Sequence, residues 1–540
     1  MTATPLTGSP VFRKGFRFLI EDSAAASASQ RFFAHNPATG ETLEPAFVAA
    51  TSSQIDEAAH LASLAAPALA ASSGSRRAQL LRTMADKLAA AQEPITARAH
   101  LETGLPAARL AGEMGRTTHQ LRLFADLVAE GSWVDARIEE ALPERKPLPR
   151  AAIRSMLRPL GPVVVFGASN FPLAFSVAGG DTAAALAAGC PVLVKAHPAH
   201  PGTSELVARC IVEAIAELDW PEGTFTLLMD SGIAVGQALV QHPSVKAVAF
   251  TGSTAGGQAL MQLAASRPEP IPCFAEMGSV NPVFLLPHAM QERAASIATG
   301  LAASFTLGSG QFCTKPGIVF LPESTPDAFW QQLKDSVQAL PMQGMLTAHI
   351  AEHFTRSIAT RARAVPSEGV FAVAAADAAT GACTRPTVFR LSAEEFLAHP
   401  ELQEEIFGPT VLLVTYSNPT SLPAMAASLQ GQLTATLHAN PEDTALAAPL
   451  LAALETRAGR LLWNGYPTGV EVCDAMVHGG PFPATSDSRF TSVGTASIFR
   501  FVRPVCFQDI PEPLLPPELQ LHNPLGIVRR VNGHTVPGRS

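Results

Sequence analysis

Cys313 lies in a setting that could give its side chain a chemical role. It follows the turn Gly308-Ser309-Gly310 and comes before Pro316 and an apolar, strand-like run at 317–321. Glycines accept positive φ and allow close approach to a ligand, so such a turn can present a thiol nucleophile in a cleft. Most free cysteines are instead small buried hydrophobic residues. This segment by itself favours the second interpretation.

Two other polar residues follow predicted strands. Asn170 lies in the turn 166–172, where its amide could donate to a developing oxyanion. Asparagine is also common in ordinary turns. Lys195 ends the next strand, at the edge where open α/β sheets bind ligands, and could bond a ribose or a phosphate. An ordinary surface lysine explains Lys195 equally well in isolation.

The segments 250–257 and 274–282 add a possible phosphate site and a possible base. Gly252 and Ser253 join a predicted strand to a helix, and a helix N-terminus suits a pyrophosphate. The turn does not match the G-x-G-x-x-G pattern. Glu276 is a single carboxylate in an apolar segment, so it is either paired or has a raised pKa and acts as a base.

Length and composition limit the functions that the chain could have. Its 540 residues predict two or three domains, and 47% are hydrophobic while only 16% are charged. The formal net charge of -8 and the lack of a basic run argue against a nucleic-acid partner. The seven cysteines show no zinc-type spacing, so we expect no metal site and a reducing compartment. No signal peptide or membrane span is apparent, which predicts a cytoplasmic protein.

The periodicity predicts an α/β fold. An alanine-rich helical region at 53–142 precedes apolar strands that alternate with helices, a pattern typical of a parallel sheet covered on both faces. The predicted strands are 163–166, 192–194, 225–228 and 245–250. The predicted helices are 173–188, 204–218, 234–240 and 255–265. A second α/β set follows to about 497, and strands near 151–157 and 499–507 lie outside both sets.

In their order along the chain these motifs resemble the aldehyde dehydrogenase superfamily, from about residue 35 to the C-terminus. The resemblance implies a Rossmann-type NAD(P)-binding domain at 1–142 and 159–286, and an α/β catalytic domain at 287–497. It also implies a small β oligomerisation arm and tail at 143–158 and 498–540. We therefore expect a homo-oligomer, either a dimer or a tetramer.

The resemblance also assigns roles to residues. Cys313, in Gln311-Phe312-Cys313, would be the nucleophile, Glu276 the general base and Asn170 the oxyanion donor. The implied cofactor is NADP or NAD, and the implied substrate is a small aldehyde that is oxidised to its acid through a cysteine thioester. In the segment 403–409, Glu405 would hold the nicotinamide ribose and Phe407 would flank the ring. The remaining cofactor-binding residues would be Lys195, Gly252 and Ser253.

Several segments depart from the common family pattern, namely Ser279, 466–470 and 478–485. They look most like the 2-oxoglutarate semialdehyde (2,5-dioxopentanoate) dehydrogenase branch, which implies a substrate with a distal carboxylate. Arg116 is our candidate for binding that carboxylate, with Gln120 one helical turn on and Phe171 also lining the substrate site. The alternative is that Arg116 pairs with Glu113 on an exposed helix face.

The segment after Lys195 bears on the choice between NADP and NAD. Many family members have a glutamate three residues after the lysine, where it repels a 2′-phosphate, but this chain has Pro198. We expect NADP to be accepted at least as well as NAD. Glu205, nearby in sequence, is an alternative source of that repulsion.

Three other functions compete with oxidation of a small semialdehyde. One is an NADP-preferring dehydrogenase of medium- or long-chain fatty aldehydes, and another is a CoA-acylating enzyme. The third is a catalytically dead nucleotide-binding or assembly protein. Retention of Cys313, Glu276 and Asn170 argues against the last two, and identification of the product distinguishes an acid from an acyl-CoA.

Overall fold

The structure is a computed structural model that describes residues 5–16, 31–365, 369–374 and 381–538. Its strands, in chain order, are β1 (Val11–Phe12), β2 (Arg31–His35), β3 (Thr42–Val48), β4 (Arg137–Glu139), β5 (Ile153–Pro159), β6 (Val163–Phe166), β7 (Val192–Lys195), β8 (Phe225–Leu228), β9 (Ala247–Thr251), β10 (Cys273–Glu276), β11 (Val283–Leu285), β12 (Ile318–Pro322), β13 (Gln343–Gly344), β14 (Val370–Val373), β15 (Cys383–Thr384), β16 (Thr387–Ser392), β17 (Thr410–Tyr416), β18 (Gln432–His438), β19 (Ala458–Trp463), β20 (Val502–Gln508), β21 (Arg529–Val531) and β22 (His534–Val536).

Helices cover the faces of these sheets. In chain order they are α1 (Ser52–Ala71), α2 (Gly74–Ala90), α3 (Gln92–Thr103), α4 (Ala107–Glu130), α5 (Gly180–Ala188), α6 (Pro201–Glu217), α7 (Ala234–Gln241), α8 (Thr254–Ala265), α9 (Pro287–Thr306), α10 (Asp327–Gln338), α11 (Ala348–Ala364), α12 (Ala393–Ala398), α13 (Leu422–Ser428) and α14 (Thr444–Leu454). None of the helices in the described ranges is long and apolar enough to cross a membrane.

The first sheet has the order β1-β8-β7-β6-β9-β10, and its pairings are parallel except for β1 against β8. Its inner strands β7 and β8 are wholly buried and β6 is buried except for its last residue, which explains their continuous apolar sequences. The strand order reverses between β6 and β9. Such a reversal opens a crevice at the carboxyl ends of the strands, where ligands bind in open α/β sheets.

The second sheet has the order β14-β16-β17-β12-β11-β18-β19 and is parallel except for β14. Two apolar clusters, one containing Phe284 and Phe320 and the other containing Val283 and Phe305, pack against it. β11 belongs to this sheet, although the boundary predicted from the sequence lies after it, at 286. The chain therefore changes sheets between β10 and β11, and the domain assignment stays a prediction.

A third sheet joins distant parts of the chain in the order β20-β5-β4-β21-β22. β20 pairs antiparallel with β5 from Val502 opposite Pro159 to Gln508 opposite Ile153. Its other edge is not paired within the described part of the chain. The strand predicted at 499–507 begins only at Val502, because Thr495–Phe501 forms a 3₁₀ helix.

Most predicted strands and helices are confirmed within a few residues, but two predictions are wrong in part. The helical region predicted over 53–142 ends at Glu130, and β4 lies inside it. The helix predicted over 173–188 is wrong in its first seven residues. The helix begins at Gly180. The backbone N–H groups of Leu173 and Ala174 instead donate to Glu113 Oε1, at 2.9 and 3.0 Å. A side chain 60 residues away therefore satisfies donors that a local helix would leave free at its N-terminus.

Candidate functional site

The turn before Cys313 has an unusual backbone. Gly308, Ser309 and Gly310 have φ of 55°, 59° and 64°, so three consecutive residues are left-handed. A Cβ at Gly310 would overlap the backbone carbonyl of Gly408, which explains glycine at that position. Asn281 Nδ2 then donates to the carbonyl of Cys313 at 2.8 Å. The turn and this bond position the cysteine between the two large sheets.

Cys313 meets two buried residues from distant segments. Its Sγ lies 3.4 Å from His478 Nε2, and the same nitrogen lies 2.8 Å from Glu276 Oε1. Glu276 ends β10 and is 3% exposed, and His478 is 1% exposed. The Ser492 hydroxyl donates to Glu276 Oε2 and, at 3.0 Å, to the carbonyl of His478. The thiol, imidazole and carboxylate therefore form one compact group.

The charges in this group oppose each other. Burial, followed by the charge of Glu276, raises the pKa of Cys313 well above its usual range. Burial also raises the pKa of Glu276, but the attraction and hydrogen bonding of His478, helped by Ser492, bring it below its ordinary value. The resting group thus holds a protonated thiol beside an ionised carboxylate. That carboxylate is suited to accept a proton.

Asn170 points towards the loop that carries Cys313. Its side-chain Nδ2 donates to the backbone carbonyl of Gln311 at 3.0 Å, and its backbone carbonyl accepts from Arg109 Nη2 at 2.7 Å. Only 9% of the residue is exposed. The amide is therefore held against the nucleophile loop, with one of its two N–H groups used by Gln311.

Aromatic side chains form a wall beside this site. The ring of Phe171 lies 5.3 Å from that of Phe175 and 5.4 Å from that of Phe312, both edge to face. The Arg109 guanidinium lies over Phe312 at 4.7 Å, and the Arg116 guanidinium over Phe175 at 5.1 Å. Two cations from α4 thus face an otherwise apolar wall.

The Arg116 guanidinium has unused donors. Its Nε and Nη2 are buried and have no hydrogen-bond partner among the described residues. Burial lowers the pKa of Arg116, and the negative charges of Glu113 and Glu276 oppose that shift. Glu113 is only 5% exposed and accepts from two backbone N–H groups, and the described residues show no ion pair between it and Arg116. The alternative of an exposed pair is therefore wrong.

Gln120 lies on the buried side of α4. It is 4% exposed, and a Cβ at Gly180 would come within 2.5 Å of its Nε2. The same Cβ would lie 3.4 Å from the carbonyl of Ser492. Gln120 therefore packs where α4, α5 and the Ser492 segment meet.

The predicted cofactor residues of the first sheet come together at its carboxyl edge. Lys195 Nζ donates to the carbonyl of Asp230 at 3.4 Å, and burial lowers the pKa of this lysine. Gly252 N donates to the carbonyl of Glu276 at 3.1 Å. Ser253 caps α8 by accepting from Gly256 N at 3.2 Å. An amino group, glycine backbone and the positive end of a helix share this crevice, which fits a dinucleotide.

Glu405 and Phe407 approach from the other side. The Glu405 carboxylate packs so closely on Gly278 that a Cβ there would overlap it. Burial raises the pKa of Glu405, while the charge of Lys315 lowers it. Lys315 is buried, and its Nζ donates to the carbonyls of Ile406 and Thr410 at 3.2 and 2.8 Å. Phe407 follows as a half-buried residue.

Glu205, the alternative acid near Lys195, is already engaged. It is fully buried, and its carboxylate accepts from Thr7 N at 2.7 Å and from Gly8 N at 3.1 Å. Arg209, one turn further along α6, also pairs with it. This carboxylate therefore ties the N-terminal segment to α6.

Two of the residues that shape the site were not identified in the sequence. His478 was noted only as part of a segment that departs from the common pattern, and Lys315 was not considered. The signal for Lys315 was its place two residues after Cys313. No local pattern could place His478 next to Cys313, because 165 residues separate the two along the chain.

Known proteins match nearly the whole chain. The model of the aldehyde dehydrogenase family matches residues 24–481. Alpha-ketoglutaric semialdehyde dehydrogenase 2 of Azospirillum brasilense is 49% identical over 518 residues, 95% of this chain and 98% of the relative. Alpha-ketoglutaric semialdehyde dehydrogenase of Acinetobacter baylyi is 47% identical over 491 residues, 90% of this chain and 92% of the relative.

Solved structures share the fold at lower identity. Betaine aldehyde dehydrogenase of Staphylococcus aureus in complex with NAD+ superposes with a TM-score of 0.76 at 20% identity, over 92% of this chain and 94% of that one. PnpE in complex with nicotinamide adenine dinucleotide gives 0.75 at 22% identity, over 93% and 98%. The family match and the two relatives together identify this chain as a member of the aldehyde dehydrogenase family, a family of NAD(P)-dependent oxidoreductases.

Proposed function

We propose that this chain oxidises 2-oxoglutarate semialdehyde to 2-oxoglutarate with NADP or NAD. The observation that supports this substrate is the environment of the Arg116 guanidinium. Its Nε and Nη2 are buried beside the Phe175 ring without a hydrogen-bond partner among the described residues. A guanidinium with free donors suits a carboxylate. The names of the two relatives, both alpha-ketoglutaric semialdehyde dehydrogenases, support the same substrate.

Cys313 would attack the aldehyde carbon, and its thiol proton must leave first because burial keeps the thiol protonated. The ionised Glu276 carboxylate would accept this proton, assisted by His478, whose Nε2–H donates to it at 2.8 Å. Asn170 Nδ2 would donate to the oxyanion that forms. The bound nicotinamide supplies the hydride acceptor.

Glu276 would then activate water against the thioester of Cys313. Its pKa lies below the ordinary value, so the carboxylate is ionised at neutral pH and can accept a proton from water. Ser492, which donates to the other carboxylate oxygen, would hold the base in place. Attack by water breaks the carbon–sulfur bond, and release of the acid regenerates the thiol.

The dinucleotide would lie across the crevice between β6 and β9. Lys195 would bond its adenosine ribose or phosphate, and Gly252 and Ser253 would approach its pyrophosphate. Glu405 would hold the nicotinamide ribose, and Phe407 would flank the ring. Phe171 and Gln120 would line the substrate side, with Gln120 supporting the inner face of α4.

The substrate is tested with Arg116→Met on two aldehydes of similar length, 2-oxoglutarate semialdehyde and a straight-chain alkyl aldehyde. We expect kcat/KM for the semialdehyde to fall, with an increase of about 2–5 kcal/mol in the activation free energy, because a buried ionic partner is lost. The alkyl aldehyde should lose little. Arg122→Met is the matched control, since Arg122 lies on the same helix in an exposed pair with Asp86.

An equal loss on both aldehydes would contradict the assignment to Arg116. The apolar wall of Phe171, Phe175 and Phe312 would then favour a medium- or long-chain aldehyde. Detection of an acyl-CoA instead of the free acid would support the CoA-acylating alternative. Absence of turnover with every aldehyde would support the third alternative, a catalytically inactive nucleotide-binding or assembly protein.

We further propose a homo-oligomer, a dimer or a tetramer, built through the third sheet. The free edge of β20 supports it, because an unpaired strand edge favours pairing with another chain. The domain division at 1–142 with 159–286, 287–497, and 143–158 with 498–540 is part of the same proposal, except that β11 is counted with the second unit because it pairs in the second sheet. A cytoplasmic location is proposed as well.

A further inference from the structure

Three different metal-binding atoms converge in the group formed by Cys313, Glu276 and His478. The sulfur, one imidazole nitrogen and one carboxylate oxygen all lie within 4.8 Å of one another. His478 Nε2 lies 3.4 Å from Sγ and 2.8 Å from Glu276 Oε1. Thiolate, imidazole and carboxylate are the three ligand types that Zn²⁺ takes in proteins.

Two of the three ligand separations suit a tetrahedral ion after a small adjustment. With zinc bonds of the usual length, neighbouring sulfur and nitrogen ligands lie about 3.6 Å apart, and nitrogen and oxygen ligands about 3.4 Å apart. The sulfur and the imidazole nitrogen are therefore already near the required spacing. Glu276 Oε1 and His478 Nε2 need to separate by about half an ångström.

Surrounding groups hold each ligand in place and turn its binding atom towards the other two. Ser492 donates to Glu276 Oε2, whereas Oε1 faces His478 Nε2 at 2.8 Å. Thr491 Oγ1 accepts from His478 N at 2.8 Å, and Asn281 Nδ2 donates to the Cys313 carbonyl at 2.8 Å. Such outer contacts orient metal ligands.

We propose that Glu276, Cys313 and His478 form an inhibitory site for a Zn²⁺ ion. On binding, the thiol releases its proton to solvent, and the imidazole binds as the neutral tautomer that carries its hydrogen on Nδ1. A sulfur–zinc bond forms, and neither metal nor sulfur changes oxidation state. The sulfur lone pair is then engaged, so it no longer attacks an aldehyde, and the carboxylate no longer accepts a proton. Zinc therefore switches the enzyme off.

Inhibition of this kind is reversible. The protein supplies three ligands, and His478 Nδ1 has no acceptor in the described residues, whereas structural zinc sites have four ligands. A chelator should therefore remove the ion and restore the free thiol. The inference rests on the proposed catalytic residues but not on the identity of the aldehyde.

The test uses full-length metal-free protein and Co²⁺ as a spectroscopic substitute for Zn²⁺. We expect a thiolate-to-cobalt absorption band that Zn²⁺ removes by competition. Cys313→Ser and His478→Gln should lose the band, while Cys506→Ser, which alters an exposed cysteine on β20, should keep it. Circular dichroism verifies that each variant is folded. A band that survives in Cys313→Ser, or no band in the unaltered protein, would overturn the proposal.

A second measurement follows the thiol itself. Zn²⁺ should slow alkylation of Cys313 by iodoacetamide at least tenfold in the unaltered protein, and EDTA should restore the rate. Both readouts are independent of turnover, so a failure of the proposed substrate would leave them unchanged. Alkylation at the same rate with and without Zn²⁺ would contradict zinc binding even if dehydrogenase activity is present.

Discussion

His478 Nε2 lies between the sulfur of Cys313, at 3.4 Å, and the carboxylate of Glu276, at 2.8 Å. One imidazole therefore contacts both the proposed nucleophile and the proposed base. Because the ring is almost wholly buried, its contacts are not weakened by solvent. The imidazole therefore keeps the proposed base ionised and next to the thiol from which it would take a proton.

Replacing His478 with glutamine should slow turnover by about a hundredfold or more, because acid–base assistance contributes that much or more. Alkylation of Cys313 by iodoacetamide should slow as well, while dinucleotide binding persists. His399→Gln is the control, since His399 is exposed and pairs with Glu401. Unchanged turnover and alkylation in His478→Gln would remove the imidazole from the mechanism.

Replacing Glu276 with glutamine should slow steady-state turnover more than it slows the first hydride transfer, because water activation follows that transfer. A rapid-mixing measurement would show a burst of reduced cofactor followed by a slow phase. Cys313→Ala should lose both phases and still bind the dinucleotide. Reduction of cofactor by Cys313→Ala at a rate comparable to the unaltered enzyme would refute covalent catalysis.

NADP should be used at least as well as NAD, because Pro198 offers no carboxylate to repel a 2′-phosphate and Glu205 is bound to Thr7 and Gly8. Steady-state kcat/KM for both cofactors measures this. Pro198→Glu should shift the ratio towards NAD by about tenfold or more through like-charge repulsion, and Pro198→Gln serves as the uncharged control. A strong preference of the unaltered enzyme for NAD would disprove the prediction.

Glu113→Ala should destabilise the protein, because the buried N–H groups of Leu173 and Ala174 would lose their acceptor. Each unpaired group costs about 1–3 kcal/mol. Glu113→Gln retains an acceptor oxygen and should lose less. Thermal melting of the two variants beside the unaltered protein measures the difference. Equal melting temperatures for Ala and Gln would show that these two bonds do not stabilise the segment.

His438 should make stability sensitive to acid. Burial, with the charge of Arg293 adding to it, lowers the pKa of His438 from 6.5 to about 4. Below pH 6.5 the unfolded chain takes up a proton that the folded chain does not. The free energy of unfolding therefore decreases as the pH falls from 6.5 towards 4. Between pH 7 and pH 5 this histidine should lower it by about 2 kcal/mol.

The measurement is the drop in melting temperature between pH 7 and pH 5. His438→Gln has no titrating side chain at this position and should show a smaller drop than the unaltered protein. His35→Gln is the control, because His35 lies exposed on β2. Identical drops in His438→Gln and in the unaltered protein would exclude His438 as a source of the acid sensitivity.

The α/β fold was predictable because its signals are local. Inner strands such as Val163–Phe166 and Phe225–Leu228 are continuous apolar runs, and buried parallel strands require that pattern. The glycine-rich turn before Cys313 was also readable, since consecutive left-handed residues favour glycine. The family motifs identify Asn170, Glu276 and Cys313 as candidate site residues without reference to any contact between them.

Contacts between distant segments were decided only by the tertiary structure. Nothing in the periodicity placed His478 beside Cys313, because chain separation does not specify distance when two sheets meet. Glu113, on another element, accepts from the N–H groups of Leu173 and Ala174, in the stretch where a helix was predicted and where the chain forms none before Gly180. The sequence by itself therefore determined the strands, the helices and the candidate nucleophile. The tertiary structure decided which imidazole and carboxylate reach that thiol, because hydrogen bonding and burial join residues that local patterns treat separately.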